Sequence, residues 1–404
     1  MYRWLIEVAS LGMALFSMFF GSGNLIFPLV VGKTVSQMPL TGGLLLGLTS
    51  VILPFLGVLL IWLYAGDASR FFHRLCPLSD ALPTQSWSKY LDSAFWFPLI
   101  SLSLMGPFGV IPRCIMVAHS SLVDHIQLLP FAILFAIATL VLTYYKEKII
   151  PILGQFLSPF LLLTLIYITA QILFFHPPSS SETPLSSPTP PLSTREAIHF
   201  SLLQGYQTMD LFAAFFFSSF CYNFLQEKKE LSTKQRSSIF CAASILGAFL
   251  LFALYMLLVF SSAKLTHQLT SIEPQQLLFH VSKISLPSYA TPVVTIAVIL
   301  ACLTTVLVLA ELFADFINLH TPKLNLSHLQ AITLTLTIAV GTCSLQFSAL
   351  AQALSFLLTL LYPFLITATL LEILCYYLAI KRNPHLISWS VLLVNLFFTT
   401  GTIC

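Results

Sequence analysis

Long apolar runs, separated by short polar stretches, dominate the chain. A transmembrane helix needs about 20 predominantly apolar residues, and eleven runs approach that length. They lie near residues 8–31, 41–64, 94–118, 128–145, 149–175, 198–225, 237–262, 290–317, 329–346, 349–380 and 386–404. The pattern therefore predicts an all-α polytopic membrane protein with about 11 transmembrane helices in a lipid bilayer.

The composition strengthens this prediction and excludes other classes. Hydrophobic residues make up 57% of the chain and charged residues 8%, whereas soluble domains carry about 25% charged residues. The net charge of only +3, without a basic patch, argues against nucleic-acid binding. The eight cysteines form no C-x-x-C pattern, so we interpret them as small core residues. No cofactor is indicated, and the lack of a catalytic or metal-ligand cluster disfavours an enzyme.

The distribution of Lys and Arg predicts the orientation. With the N-terminus in the cytoplasm, thirteen of the 18 fall on the inner side and four on the outer side, as the positive-inside rule requires. The inner set is Arg3, Arg70, Arg74, Lys89, Lys146, Lys148, Lys228, Lys229, Lys234, Arg236, Lys323, Lys381 and Arg382; the outer set is Lys33, Arg195, Lys264 and Lys283. We therefore predict a cytoplasmic N-terminus.

The connections divide the chain into two halves. Residues 177–193 are mostly Pro, Ser and Thr, which predicts a flexible external loop within 176–197. The loop separates a first five-helix repeat, 1–175, from a second, 198–380, and 381–404 adds a C-terminal helix. Because five is odd, the second repeat enters the membrane from the opposite side to the first, as expected for an inverted repeat. Residues 66–92 mix charged with aromatic residues, which favours a cytoplasmic stretch lying partly on the membrane surface.

Each half opens with an interrupted apolar run. Gly21 to Pro28 interrupts the first, and Gln204 to Asp210 interrupts the second. Glycine costs about 1 kcal/mol and proline about 3 kcal/mol inside a helix, so both helices should break here. Glycine also serves simple packing in membrane helices. Two breaks at equivalent positions nevertheless indicate a transporter site near the membrane centre.

The broken ends offer groups that suit an amino acid. A new helix N-terminus presents free N–H groups, so the Ser22 and Gly23 amides could bind a carboxylate while Asn24 fixes the backbone. Backbone carbonyls could bind an ammonium group or Na⁺. These carbonyls belong to Phe19, Phe20, Gly205, Tyr206, Gln207 and Thr208. The Phe-rich neighbourhood favours an apolar side chain on the ligand.

Two charged residues allow alternative interpretations. Asp210 either faces the ligand or caps the second half of its own helix, and capping is slightly favoured because the residue directly follows a break. Arg113 either gates the site from outside by pairing with an acid or extends to the membrane interface.

Further polar residues lie on the eighth apolar run. Thr304 and Thr305 offer oxygen ligands of the kind that Na⁺ prefers, although threonine hydroxyls also bond to their own helix. Glu311 and Asp315, one turn apart near the cytoplasmic end, are candidates for an inner gate.

Taken together, these motifs resemble those of the branched-chain amino acid:cation symporter (LIVCS) family. The motifs are Phe19 to Pro28, Gly106-Pro107 with Pro112-Arg113, Gly205 to Asp210, Ala301 to Thr305 with Glu311, and Leu361-Tyr362-Pro363. The resemblance implies a LeuT-type 5+5 inverted-repeat bundle whose helices 1 and 6 are discontinuous. It also implies a sodium site formed by backbone carbonyls near Ser17 and Phe20, the Ala301 carbonyl, and the hydroxyls of Thr304 and Thr305.

The sequence therefore predicts a symporter that imports Leu, Ile or Val with Na⁺ or H⁺ across a bacterial cytoplasmic (inner) membrane. Two alternatives stay open at this point. One is a transporter of the same fold for another neutral solute, and the other is a receptor or scaffold that no longer transports.

Overall fold

The computed structural model describes residues 2–75, 93–122, 126–143, 158–175, 192–286, 291–320 and 325–378. Each predicted span from 8–31 to 349–380 coincides with helix in the described residues. The predicted eleventh span, 386–404, lies outside them, so the count of eleven stays a prediction. Most of the predicted external loop also lies outside, as do Lys89, Lys146, Lys148, Lys323, Lys381 and Arg382.

We number the helices in chain order. They are α1 (Tyr2–Phe19), α2 (Ser22–Thr34), α3 (Pro39–Leu63), α4 (Ala68–Leu75), α5 (Ser93–Met105), α6 (Val110–Ser120), α7 (Leu128–Thr143), α8 (Ser158–Ala170), α9 (Thr194–Gln207), α10 (Asp210–Glu227), α11 (Thr233–Lys264), α12 (Thr266–Leu269), α13 (Leu277–Ser285), α14 (Thr291–His320), α15 (His328–Thr342) and α16 (Phe347–Tyr377). Among the described residues, six helical spans are long and apolar enough to cross a membrane: α3, α5 with α6, α9 with α10, α11, α14 and α16; the bent pair α1 and α2 makes a seventh.

Capping boxes explain where three of these helices begin. In each, a serine side chain accepts a hydrogen bond from the backbone N–H three residues later, and the Glu or Gln at that position bonds back to the serine N–H. The pairs are Ser193 with Glu196, Ser232 with Gln235, and Ser327 with Gln330. Apolar content alone places the starts of α9 and α11 four residues too late, because the first helical turn is polar.

The long helix α11 holds the interrupted first helix together. We call the end of the bundle where α1 begins the proximal end, and the opposite end the distal end. α11 packs along both α1 and α2, so it bridges the bend between them. α10 packs on α3, and α14 packs on α6. These contacts bring the interruptions in α1–α2 and α9–α10 to the centre of the bundle.

The short helix α4 is anchored in the proximal part of the bundle. Phe71 and Phe72 are fully buried, and both rings lie 5.3 Å from the ring of Phe215 on α10. The predicted surface stretch 66–92 thus inserts two aromatic side chains between helices. The polar face of α4 carries the Asp67–Arg70 ion pair at its start.

Candidate functional site

The first break is sharper and shorter than the sequence predicts. α1 and α2 meet at 72°, and only Phe20 and Gly21 separate them. The prediction that the break extends to Pro28 is wrong, because Pro28 lies inside α2. Its missing N–H instead leaves the Asn24 carbonyl without its usual helical donor. Gly21 allows Thr305 to approach closely, since a Cβ there would lie 3.2 Å from the Thr305 methyl carbon.

The second break lies at Thr208 and Met209. Met209 adopts the left-handed conformation with φ of 60°, which is uncommon for a residue other than glycine. Gly205, which lies within the predicted break from Gln204 to Asp210, is helical. Its role is close packing, because a Cβ there would lie 1.8 Å from the hydroxyl oxygen of Thr49 on α3. Thr49 lies in a π-helical segment, Leu48–Ile52, a distortion often found near functional sites.

A third interruption separates α5 from α6 at residues 106–109. A Cβ on Gly109 would lie 2.0 Å from the Leu104 carbonyl oxygen, so the tight turn requires glycine. The sequence contains Gly106-Pro107-Phe108-Gly109 at this point, but the single apolar run 94–118 predicts one helix, so the interruption is not predicted. The interruption places the N-terminus of α6 beside the other two breaks.

Asn24 connects the first two breaks. Its side-chain amide donates 2.8 Å to the Phe19 carbonyl at the end of α1. The same nitrogen donates to both carboxylate oxygens of Asp210, at 3.0 and 3.3 Å. The backbones also touch, because a Cβ on Gly23 would lie 3.2 Å from the Thr208 Cα. Asn24 therefore fixes the backbone of the break, as predicted, and also joins it to the second one.

The Asp210 side chain forms hydrogen bonds with residues of two other helices in the bundle. Met209 is the N-cap of α10, and Asp210 is the first helical residue. Its carboxylate accepts from Asn24 and, at 3.4 Å, from the Tyr255 hydroxyl on α11. The favoured interpretation of Asp210 as the cap is therefore wrong. Tyr255 is fully buried, and sequence reasoning missed it, although a hydroxyl in the middle of an apolar helix is a usable signal.

A small cavity lies where the breaks meet. Its volume is about 30 Å³, so the helices pack closely around it. The lining residues are Met18, Phe19, Gly21, Gly23, Asn24, Met105, Val110, Thr208, Met209, Asp210, Ala213, Phe217, Thr305 and Leu309. Most of the lining is apolar with a few polar groups, which is the usual character of a small-molecule site. The flexible methionine side chains would let it enlarge.

Besides Gly205, two predicted site residues, Ser22 and Tyr206, pack beside the cavity rather than in it. The Ser22 hydroxyl accepts a hydrogen bond of 3.2 Å from the Cys114 thiol on α6. The Tyr206 ring lies 4.7 Å from that of Tyr362. Both residues therefore support the walls of the cavity.

The predicted sodium ligands are brought partly together. Thr305 lines the cavity next to Gly21. The hydroxyls of Thr304 and Thr305 donate to the Ala301 carbonyl, at 2.8 and 3.1 Å. The Ser17 carbonyl accepts from the Phe20 N–H at 3.2 Å. A threonine hydroxyl that donates to a carbonyl keeps lone pairs with which it can bind a cation.

Arg113 is buried inside the helix bundle. Its side chain is only 1% exposed, so the interpretation that it extends to the interface is wrong. One guanidinium nitrogen donates to the Gln207 side-chain oxygen at 3.5 Å, and the guanidinium carbon lies 5.5 Å from the Phe27 ring centre. The predicted pairing with an acid is thus replaced by contacts with an amide and an aromatic ring.

Glu311 lies in a separate cluster toward the proximal end. It bonds to His328 on α15 at 2.7 Å, and the other ring nitrogen of His328 lies 3.3 Å from Asp315. The cluster links α14 to α15 and is distinct from the central cavity.

These features define a class of protein. Interrupted helices that meet at a mostly apolar cavity inside a membrane bundle are typical of secondary transporters. Solved transporters share the fold. A nucleobase-cation-symport-1 family transporter in a closed conformation gives a TM-score of 0.58 at 15% identity, over 89% of this chain and 77% of that one. A manganese transporter of Eremococcus coleocola gives a TM-score of 0.55 at 14% identity, over 100% of this chain and 95% of that one. The fold is the predicted LeuT-type bundle.

The chain belongs to the branched-chain amino acid transport protein family, whose model matches residues 5–402. It is 27% identical to the branched-chain amino acid permease BrnQ of Bacillus subtilis (strain 168), over 90% of this chain and 80% of that protein. It is 24% identical to the BrnQ permease of Haemophilus influenzae, over 91% and 81%. The family resemblance drawn from the motifs is confirmed.

Proposed function

We propose that the protein is a secondary-active symporter that imports leucine, isoleucine or valine. The observation that carries this proposal is the cavity where two interrupted helices meet, with one carboxylate, Asp210, and a mostly apolar lining. An apolar pocket suits a branched aliphatic side chain, and a few fixed polar groups suit the two ends of an amino acid. The permease relatives support the same substrate class.

The polar ends of the substrate would be bound by the two breaks. The substrate carboxylate would lie at the N-terminus of α2, near the amides of Ser22 and Gly23. The substrate ammonium would lie near Asp210 and the carbonyls that end α9. Asn24 would hold these two regions at a fixed separation, because it bonds to both of them.

We propose Na⁺ as the coupling ion, with H⁺ as the second candidate. Thr305 lies against Gly21 at the first break, and its hydroxyl oxygen lies 3.1 Å from the Ala301 carbonyl oxygen. Such oxygens are the ligands of hard cations. For H⁺, the candidate carrier is Asp210, a buried carboxylate held by neutral donors. Either ion would stabilise a closed state around the substrate.

The proximal end would face the cytoplasm of a bacterium, across its inner membrane. The described cations at that end include Arg3, Arg70 and Lys228, which supports this orientation by the positive-inside rule.

Uptake of radiolabelled Leu, Ile and Val into proteoliposomes tests the function. We expect concentrative uptake when a Na⁺ or a H⁺ gradient is imposed, and none when both ions are at equilibrium. Binding without uptake would indicate a receptor. Uptake of another neutral solute in preference to all three would indicate different substrate specificity. Absence of any concentrative uptake under either gradient would refute the proposal.

A further inference from the structure

Arg113 lies on α6 between two openings. Val110, one turn before it, lines the central cavity. Met116, His119 and Ser120, which follow it, line a distal vestibule of about 450 Å³. A solute that moves from the vestibule to the cavity along α6 therefore passes the helical turn that carries Arg113.

The contacts of Arg113 join the two distal half-helices. The guanidinium lies over the Phe27 ring of α2 and bonds to Gln207, the last residue of α9. Phe27 also lies beside Gly23, because a Cβ there would be 3.4 Å from the Phe27 ring. Through Phe27, the guanidinium is thus one side chain away from Gly23, which lines the cavity at the N-terminus of α2.

Among the described residues, no carboxylate forms a direct ion pair with Arg113, and the charge of Asp210 acts on it only from a longer distance. The Nε atom of Arg113 is buried without a hydrogen-bond partner. In the part of the chain that the structure describes, no carboxylate lies within 4 Å of its guanidinium. A buried charge without an opposite charge in direct contact is costly. The residue is therefore suited to an anion that arrives from outside the protein.

The neighbouring helix terminus favours the same kind of ligand. α2 is 13 residues long and begins at Ser22, whose hydroxyl bonds to Cys114, the residue after Arg113. Free N–H groups at such a terminus attract a carboxylate. An arginine guanidinium adds two parallel donors that match the two oxygens of a carboxylate. The cation and the helix N-terminus can therefore act on one group.

We propose that Arg113 binds the carboxylate of the amino acid substrate, in place of its present contact with Gln207, and so restricts transport to substrates with a free carboxylate. This inference rests on the proposed function, because it assigns a residue to the same site. The carboxylate is held from the distal side by Arg113 and from α2 by backbone amides.

Two ligands that differ only at the carboxylate test this role. Binding of L-leucine and of L-leucinamide, which lacks the negative charge, is measured by competition against labelled leucine on purified full-length protein. Arg113→Gln should weaken leucine binding by about 30-fold or more, as expected for loss of one partner of a buried charge pair. It should change leucinamide binding by less than about threefold, since leucinamide has no carboxylate to lose. Arg113→Lys should weaken leucine binding less than Arg113→Gln does, because lysine keeps the positive charge but lacks the two parallel donors of arginine.

Arg195→Gln is the matched control, because Arg195 is an exposed arginine near the distal start of α9. Arg195→Gln should leave the binding of both leucine and leucinamide unchanged. Equal weakening of leucine and leucinamide in both Arg113 variants would mean that Arg113 supports the structure or closes the path, and would overturn the inference. Unchanged leucine binding would overturn it too. If the wild-type protein binds none of the branched-chain amino acids, the proposed function itself fails; if it binds leucine, only the role of Arg113 is at stake.

Discussion

The contact between Asn24 and Asp210 makes a quantitative prediction. Asn24→Ala removes a hydrogen bond to the Phe19 carbonyl and the bonds to the Asp210 carboxylate. A neutral hydrogen bond contributes about 1 kcal/mol, and one to a charged group about 1.5–3 kcal/mol. Both acceptors stay buried, so no gain in hydration offsets the loss. We expect Asn24→Ala to lower the free energy of unfolding by roughly 2.5–4 kcal/mol.

A double-mutant cycle separates the two parts of this loss. The free energy of unfolding of purified protein in mixed micelles is measured for Asn24→Ala, Asp210→Ala and the double variant. The coupling energy should be about 1.5–3 kcal/mol, the value of the charged bond alone. The exposed helical residue Asn223 provides the control Asn223→Ala, which should cost little. A coupling energy below about 0.5 kcal/mol would mean independent sites and would refute the link between the two breaks.

Two further substitutions test the cavity itself. Gly23→Leu should reduce leucine uptake about tenfold or more without loss of membrane insertion, because overpacking against Thr208 costs about 1–3 kcal/mol. Gly341→Leu is the control and should be neutral, because a Cβ at Gly341 meets open space. Normal leucine affinity in Gly23→Leu would contradict the proposal that leucine binds at the first break. Thr305→Val should raise the Na⁺ concentration needed for half-maximal uptake. By linkage, it should also weaken leucine binding at low Na⁺. Thr337→Val, an exposed threonine with the same kind of bond to its own helix, is its control, and unchanged Na⁺ dependence in Thr305→Val would favour H⁺ coupling.

The sequence predicts where the helices break to within a few residues. Gly21 and Asp210 lie at or next to the observed interruptions because glycine and acidic residues are costly in a continuous apolar helix. Pro28 misleads, since proline is tolerated in membrane helices whose freed backbone groups find other partners. Gly205 misleads for another reason. It allows close approach to Thr49 and does not interrupt its helix.

The partners of these residues could not be read from the sequence. Asn24 and Asp210 are 186 positions apart, and Arg113 and Gln207 are 94 apart. Hydrophobic periodicity reports which residues share a helix face, but it carries no information about which faces meet. The burial of Arg113 depends on its contacts with Phe27 on α2 and Gln207 on α9, so the sequence leaves both interpretations of this residue open. Tertiary contacts decide such cases.

The arrangement of the two buried charges suggests why neutral residues lie around them. Asp210 is held by Asn24 and Tyr255, and Arg113 by Gln207 and Phe27. A direct ion pair would satisfy both charges, and a ligand would then have to break it, because separating a buried pair is strongly unfavourable. Weaker neutral contacts hold each charge in position and can be exchanged at lower cost. On the proposed function, a zwitterion brings an ammonium group for one charge and a carboxylate for the other, so substrate binding completes two interactions that the protein leaves incomplete.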